Sequence, residues 1–126
     1  MNVIDSSAWL EYFAGGPNAA HFAAAIEDPN QRLVPSITLL EVFKRIAQQR
    51  DESTALQYIA LMQQGTVIAL DADLALRAAV LGQRHKLPLA DSIIYATAQR
   101  AKATVWTQDA DFAGLSDVRY WSQHSP

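Results

Sequence analysis

The sequence predicts an α/β domain in which a mostly parallel sheet is covered by helices on both faces. Three observations lead there. Short apolar runs of strand character alternate with longer stretches of helical periodicity, the pattern of a parallel sheet joined by crossover helices. One of those helical stretches, Lys86–Ala101 (KLPLADSIIYATAQRA), has almost no polar face and reads as a helix packed on both sides. With 126 residues of which 50% are hydrophobic, the chain has enough apolar material for one core. No repeat, low-complexity segment or linker interrupts it, so a single domain over residues 1–126 is expected.

The elements follow in order. Residues 2–4 form a short strand, broken by Asp5-Ser6-Ser7. A helix follows over about 7–13, with Trp9, Leu10 and Phe13 spaced to face a core, and Gly15-Gly16-Pro17 ends it. An alanine-rich helix covers 18–27 and Asp28-Pro29-Asn30 is a turn. Arg32-Leu33-Val34 is a brief strand stopped by Pro35. The best-formed helix spans 36–50, with Leu39, Val42, Phe43 and Ile46 as its stripe. Another runs from about Asp51 to Gln64, with Leu56, Ile59 and Met62 inward and Gly65 as the expected C-cap. A strand over 66–70, a helix over 73–85 and the apolar helix over 90–101 come next. A strand at 103–107, a loop at 109–112 and a last strand at 118–121 complete the chain.

Composition excludes several classes. Without cysteine, neither disulfides nor thiolate-bound zinc contribute, and a reducing cytoplasm is the natural setting. The opening MNVIDSS has no basic segment ahead of a long apolar one, so no signal peptide is expected. No apolar run approaches the roughly 18 residues of a membrane span. A net charge of −3 argues against wholesale coating of nucleic acid. It leaves room for a local site, because bound cations offset clustered acids.

The acids carry the chemistry. Asp91 falls in the first turn of the apolar helix, where free N–H groups favour an anion, and either a capping or a site role fits it. Ser92 would cap as well, and a carboxylate between Leu89 and Ile93 costs desolvation unless something positive meets it. Asp5 directly follows the strand Val3-Ile4, and Asp109 follows Val105-Trp106-Thr107 by one residue; both sit at strand carboxyl ends, where ligands collect in such sheets. Glu41 interrupts an apolar helix, and Thr38-x-x-Glu41 also fits a capping box, so both readings stand. Glu11 lies about two turns into its helix and reads as solvent-facing, while the remaining acids occupy turns and helix starts. Four acids at one edge cannot all ionise unless cations hold them. All-oxygen donors suit magnesium or manganese, and a metal held this way serves phosphodiester hydrolysis. The chemical reading is a nuclease.

Taken together, Asp5-Ser6-Ser7, Glu41, Leu87-Pro88-Leu89-Ala90-Asp91 and Thr107-Gln108-Asp109-Ala110-Asp111-Phe112 resemble the PIN-domain ribonucleases. The resemblance is greatest to the short VapC toxins of toxin–antitoxin pairs and covers essentially the whole chain in order. It implies a three-layer α/β/α fold with a central, mostly parallel sheet. It further implies a magnesium- or manganese-dependent endoribonuclease acting on RNA, usually a homodimer, and a VapB-type antitoxin that docks on the surface and reaches the acidic pocket. Asp5, Glu41, Asp91 and Asp109 match the family's acidic quartet, as catalytic and metal-holding residues. Ser7 matches the small polar residue two after the first acid, and Thr107 the hydroxyl residue before the fourth. Asp111 matches a second, supporting acid of the closing motif, and Phe112 a packing residue.

Other side chains have plainer readings. His21, His85 and His124 do not pair at ligand spacing and read as surface residues. Lys44, Arg45 and Arg50 on one helix, with Arg84 and Lys86 elsewhere, either touch RNA phosphates or form a solvated face. The three tryptophans read as core and interface. A phospho-aspartate phosphatase would want an acid where Ser7 stands, and a phosphate-signalling receiver would need adjacent early acids and a late lysine after a strand. A domain of this kind that binds RNA or a partner without cutting is the non-enzymatic alternative; a metal-dependent cleavage assay separates the two.

Overall fold

In the computed structural model, which describes residues 1–123, five strands form one wholly parallel sheet in the order β3-β2-β1-β4-β5. The strands are β1 (Asn2–Ile4), β2 (Arg32–Pro35), β3 (Thr66–Ile68), β4 (Thr104–Thr107) and β5 (Val118–Tyr120). Six helices connect them: α1 (Ser6–Ala14), α2 (Ala19–Ile26), α3 (Ser36–Gln49), α4 (Glu52–Met62), α5 (Ala72–His85) and α6 (Leu89–Ala101). Every expected strand and helix is present. Two short 3-10 turns, Pro29–Gln31 and Ala110–Phe112, stand where a turn and a loop were expected.

The two-residue period of a strand sorts the core into layers. Ile4 and Val34 point to one face, against Trp9, Phe22, Val42, Ile46 and Met62 of α1–α4. Val3, Leu33 and Val105 point to the other, against Ile94, Tyr95 and Ala98 of α6. Helix α5 lies outside α6, packing Leu74 and Ala78 on Ile93 and Ala96. Residues 91–98 are therefore all buried, as the apolar stretch requires. The close fit of α5 on α6 needs Gly82, since a Cβ there would lie 2.9 Å from that of Ser92.

Three local expectations are corrected. Leu56 is 59% exposed while Ala55 is fully buried, so Ala55 takes the inward place expected of Leu56, whereas Ile59 and Met62 face inward as expected. Gly65 is not the C-cap of α4, which ends at Met62 with Gln63 in the cap position. Its Cβ would instead lie 2.8 Å from the Arg32 carbonyl oxygen and 2.9 Å from Arg32 Nε. Arg32 is 2% exposed, and its guanidinium donates to the carbonyls of Ile26, Leu61 (2.8 Å) and Met62 (3.2 Å). One buried cation thus closes the negative ends of α2 and α4, and Gly65 makes room for it. The third correction concerns α3. Thr38 donates to the Pro35 carbonyl at 2.7 Å and no side chain caps the helix, so the Thr38–Glu41 capping box does not form.

β2 and β3 lie on one side of β1, and β4 and β5 on the other. The strand order thus reverses between β1 and β4, and their carboxyl ends border the crevice where sheets of this class hold ligands.

Candidate active site

Asp5 leaves β1 at that crevice. Its Oδ1 caps α1 by accepting from the Ala8 amide at 2.9 Å. Ser7 Oγ donates to both carboxylate oxygens (2.8 and 3.0 Å), and Thr107 Oγ1 donates to Oδ2 at 2.7 Å. Asp5 is only 2% exposed, and burial outweighs these bonds: its pKa is pushed up to about 6, with the Asp109 charge adding to the effect. Thr107 faces both ways, since its hydroxyl also accepts from the Asp109 amide at 2.9 Å. The end of β4 therefore hands the chain from one acid to the next. Asp109 Oδ1 in turn accepts from the Asp111 amide at 2.9 Å, which shapes the 3-10 turn beyond it.

Asp91 projects from the first turn of α6 into the same space. It caps nothing: Pro88 occupies the N-cap position, and Ser92 donates to the Leu89 carbonyl at 2.6 Å. One carboxylate oxygen from each of Asp91, Asp109 and Asp111 lies within 4.8 Å of the others. Burial, then the charges of Asp109, Asp5 and Asp111, push the Asp91 pKa up to about 8. Among the described residues, no ion pair engages any of these acids.

Glu41 stands apart from that group of three. It is held by Ser6, whose Oγ donates to Oε1 at 2.6 Å. Since Ser6 directly follows Asp5, this bond fixes α3 against the start of α1. The sequence marks Ser6 only as part of a three-residue motif, and nothing in its spacing points to Glu41. Gln108 and Asn18 form a second unannounced link. Asn18 is 1% exposed and its Nδ2 donates to Gln108 Oε1 and to the Ser122 carbonyl, both at 3.0 Å. Glu11 is half-buried rather than solvent-facing, because its carboxylate accepts from the Asn18 amide at 2.8 Å.

The family model of the PIN domain matches residues 3–118. The chain belongs to the PIN domain family. Among solved structures, this PIN domain is similar to a chain of a toxin–antitoxin complex from Klebsiella pneumoniae, at 28% identity and a TM-score of 0.79, covering 94% of this chain and 96% of that one. It shares its fold with VapC20 of Mycobacterium tuberculosis, a sarcin-ricin-loop-cleaving toxin (19% identity, TM-score 0.77, coverage 94% and 97%). The same holds for a chain of DNA-bound VapBC from Salmonella typhimurium (13%, 0.73, 96% and 96%). No curated protein sequence matches it significantly.

Elsewhere, the two described histidines of this PIN domain pack on aromatic rings. His21 stacks on Trp121 with ring centroids 5.1 Å apart, and His85 meets the Tyr95 ring edge-on at 5.8 Å. His124 lies outside the described residues. Trp9 is core, while Trp106 and Trp121 stack half-buried at 5.6 Å. Among the described residues, no helix is long and apolar enough to cross a membrane.

Proposed function

We propose that this protein is a metal-dependent endoribonuclease, the toxin of a VapBC-type pair, with Asp5, Glu41, Asp91 and Asp109 as its catalytic and metal-holding acids. The observation that carries the proposal is the convergence of Asp91, Asp109 and Asp111 beside buried Asp5, with no ion pair to any of them among the described residues. Two of these carboxylates, Asp5 and Asp91, are buried without a cationic partner among the described residues, which is costly unless a cation meets the cluster. The donors are all oxygens, which fits Mg2+ or Mn2+ and not a soft metal. A divalent ion bound there supplies activated water and neutralises charge developing on the phosphate.

The chain's own residues do the rest. Ser7 and Thr107 orient the Asp5 carboxylate, and Thr107 also fixes the Asp109 backbone, so two acids from two strands keep one geometry. Ser6 aims Glu41 from the α3 side. Asp111 adds a carboxylate at the exposed rim. We further propose one PIN domain over residues 1–126, a cytoplasmic location, a homodimer and an antitoxin that blocks the crevice. The test is cleavage of RNA by purified protein in magnesium or manganese against excess EDTA. Full cleavage in EDTA, with contaminating ribonuclease excluded, overturns the metal-dependent mechanism.

A further inference from the structure

A cleft of about 390 Å3 opens beside the acidic crevice, between α1, the C-terminal end of α3 and Tyr58 of α4. Two of its walls belong to the site itself: Ser7, which bonds Asp5, and Gln108, which lies between Thr107 and Asp109. On α3, Glu41, Arg45 and Gln49 are spaced four residues apart and share one helix face. That face leads from the acids into the cleft, where Arg45, Gln49 and Arg50 line the wall. Among the described residues, neither arginine forms an ion pair. Glu11 is the one carboxylate among the described lining residues and offsets one arginine, which leaves the lining of the cleft net positive. Tyr58 and Phe13 close the far side, with ring centroids 4.4 Å apart.

We propose that this cleft seats one nucleotide of the RNA strand next to the bond that is cut, with Arg45 and Arg50 on its phosphates and Tyr58 under its base. The proposal rests on the ribonuclease reading above for the position of the cut. The observations fit a nucleotide on three counts. Guanidinium groups match phosphate oxygens two at a time. Bases of single-stranded RNA stack on aromatic side chains. The volume lies at the small end of ligand pockets, which run from roughly 300 to 1,000 Å3. A strand that leaves the crevice past Ser7 and Gln108 meets the cleft there.

The experiment is binding of a fluorescently labelled single-stranded RNA decamer of mixed sequence, in EDTA so that nothing is cut, across a range of salt. It compares the wild type with Arg45→Gln/Arg50→Gln and Arg45→Lys/Arg50→Lys. Arg45 on α3 and Arg50 at its C-cap are both exposed, so the variants should fold, and a melting curve verifies this. The glutamine variant should bind roughly tenfold more weakly, and its salt slope should be shallower by about 1.4, or about 0.7 for each lost phosphate contact. The lysine variant should recover the slope and part of the affinity. In magnesium or manganese, the glutamine loss should fall on KM more than on kcat. Equal affinity and slope in wild type and glutamine variant overturn the seat and leave the cleft to a protein partner. If that equality comes with intact cleavage, the nuclease reading stands alone. If the wild type binds through these arginines but never cuts, the RNA seat stands and the nuclease reading falls.

Discussion

Asp91 shows how one residue separates a structural acid from a functional one. A capping aspartate would tolerate Asn, which caps nearly as well, but here Pro88 holds the cap position and Asp91 faces other acids. Two like charges about 4 Å apart cost about 4 kcal/mol at an effective dielectric near 20. Protonation relieves much of that below the Asp91 pKa of about 8. In metal-free protein, Asp91→Asn should therefore melt at the same or a higher temperature near neutrality, with the gap widening from about pH 4 to about pH 8 and levelling off above it. RNA cleavage should fall by more than about a hundredfold. Melting curves beside a cleavage assay check both, and near-wild-type cleavage would sink the assignment. Thr107 makes a different demand. Thr107→Val keeps the shape but removes a donor to Asp5 and an acceptor for the Asp109 amide. It should cost about 1–3 kcal/mol by urea unfolding, because buried polar groups lose their partners.

At the level of elements, the sequence showed most where one physical signal dominated. β1, β4 and α6 were legible because apolar runs were long relative to their turns, and Asp5 and Asp109 were legible as strand-end acids. The first inward position of α4 was not, because Ala55 and Leu56 are both apolar and only packing against α3 and α1 decides which turns inward. The Thr38–Glu41 spacing satisfied a capping box, yet Pro35 at the cap and the distant Ser6 hydroxyl redirected both side chains. That contact spans 35 residues, so no local pattern announces it. Gly65 likewise looked like a helix end because its neighbour in space, Arg32, is far away in sequence. Gly65→Ala should cost about 1–3 kcal/mol through overpacking against the Arg32 backbone and guanidinium. A thermal or urea melt within about 0.5 kcal/mol of wild type would show that Arg32 can move aside.

Across the whole molecule, apolar surface and charge make separate demands. The α3 stripe of Leu39, Val42, Phe43 and Ile46 packs into the protein's own core, while Leu40, Leu56 and Leu61 of α3 and α4 stay 58%, 59% and 37% exposed. We expect these to contribute to a dimer, and a monomer in sedimentation at micromolar concentration would count against it. Charge leads to the final prediction. Asp5 and Asp91 have pKa values raised from 3.8 to about 6 and about 8. Between pH about 4 and about 8 the folded protein therefore holds protons that the unfolded chain has released. More protons on the native state means that stability falls as pH rises, the reverse of ordinary salt-bridged carboxylates. Asp51, Asp71 and Asp73 are shifted the other way by their helix-cap and arginine partners, but they are exposed and their contribution is confined to lower pH. In EDTA, the melting temperature should thus drop from about pH 5.5 to about pH 8.5. Magnesium or manganese should oppose that drop, because a cation needs the ionised acids and its binding strengthens as protons leave. The stabilisation by metal should accordingly be small near pH 5.5 and largest near pH 8.5. A metal-free melting temperature that climbs steadily through this range would mean that the acids are not crowded in the folded state, and the case for a cation site at the β1–β4 crevice would go with it.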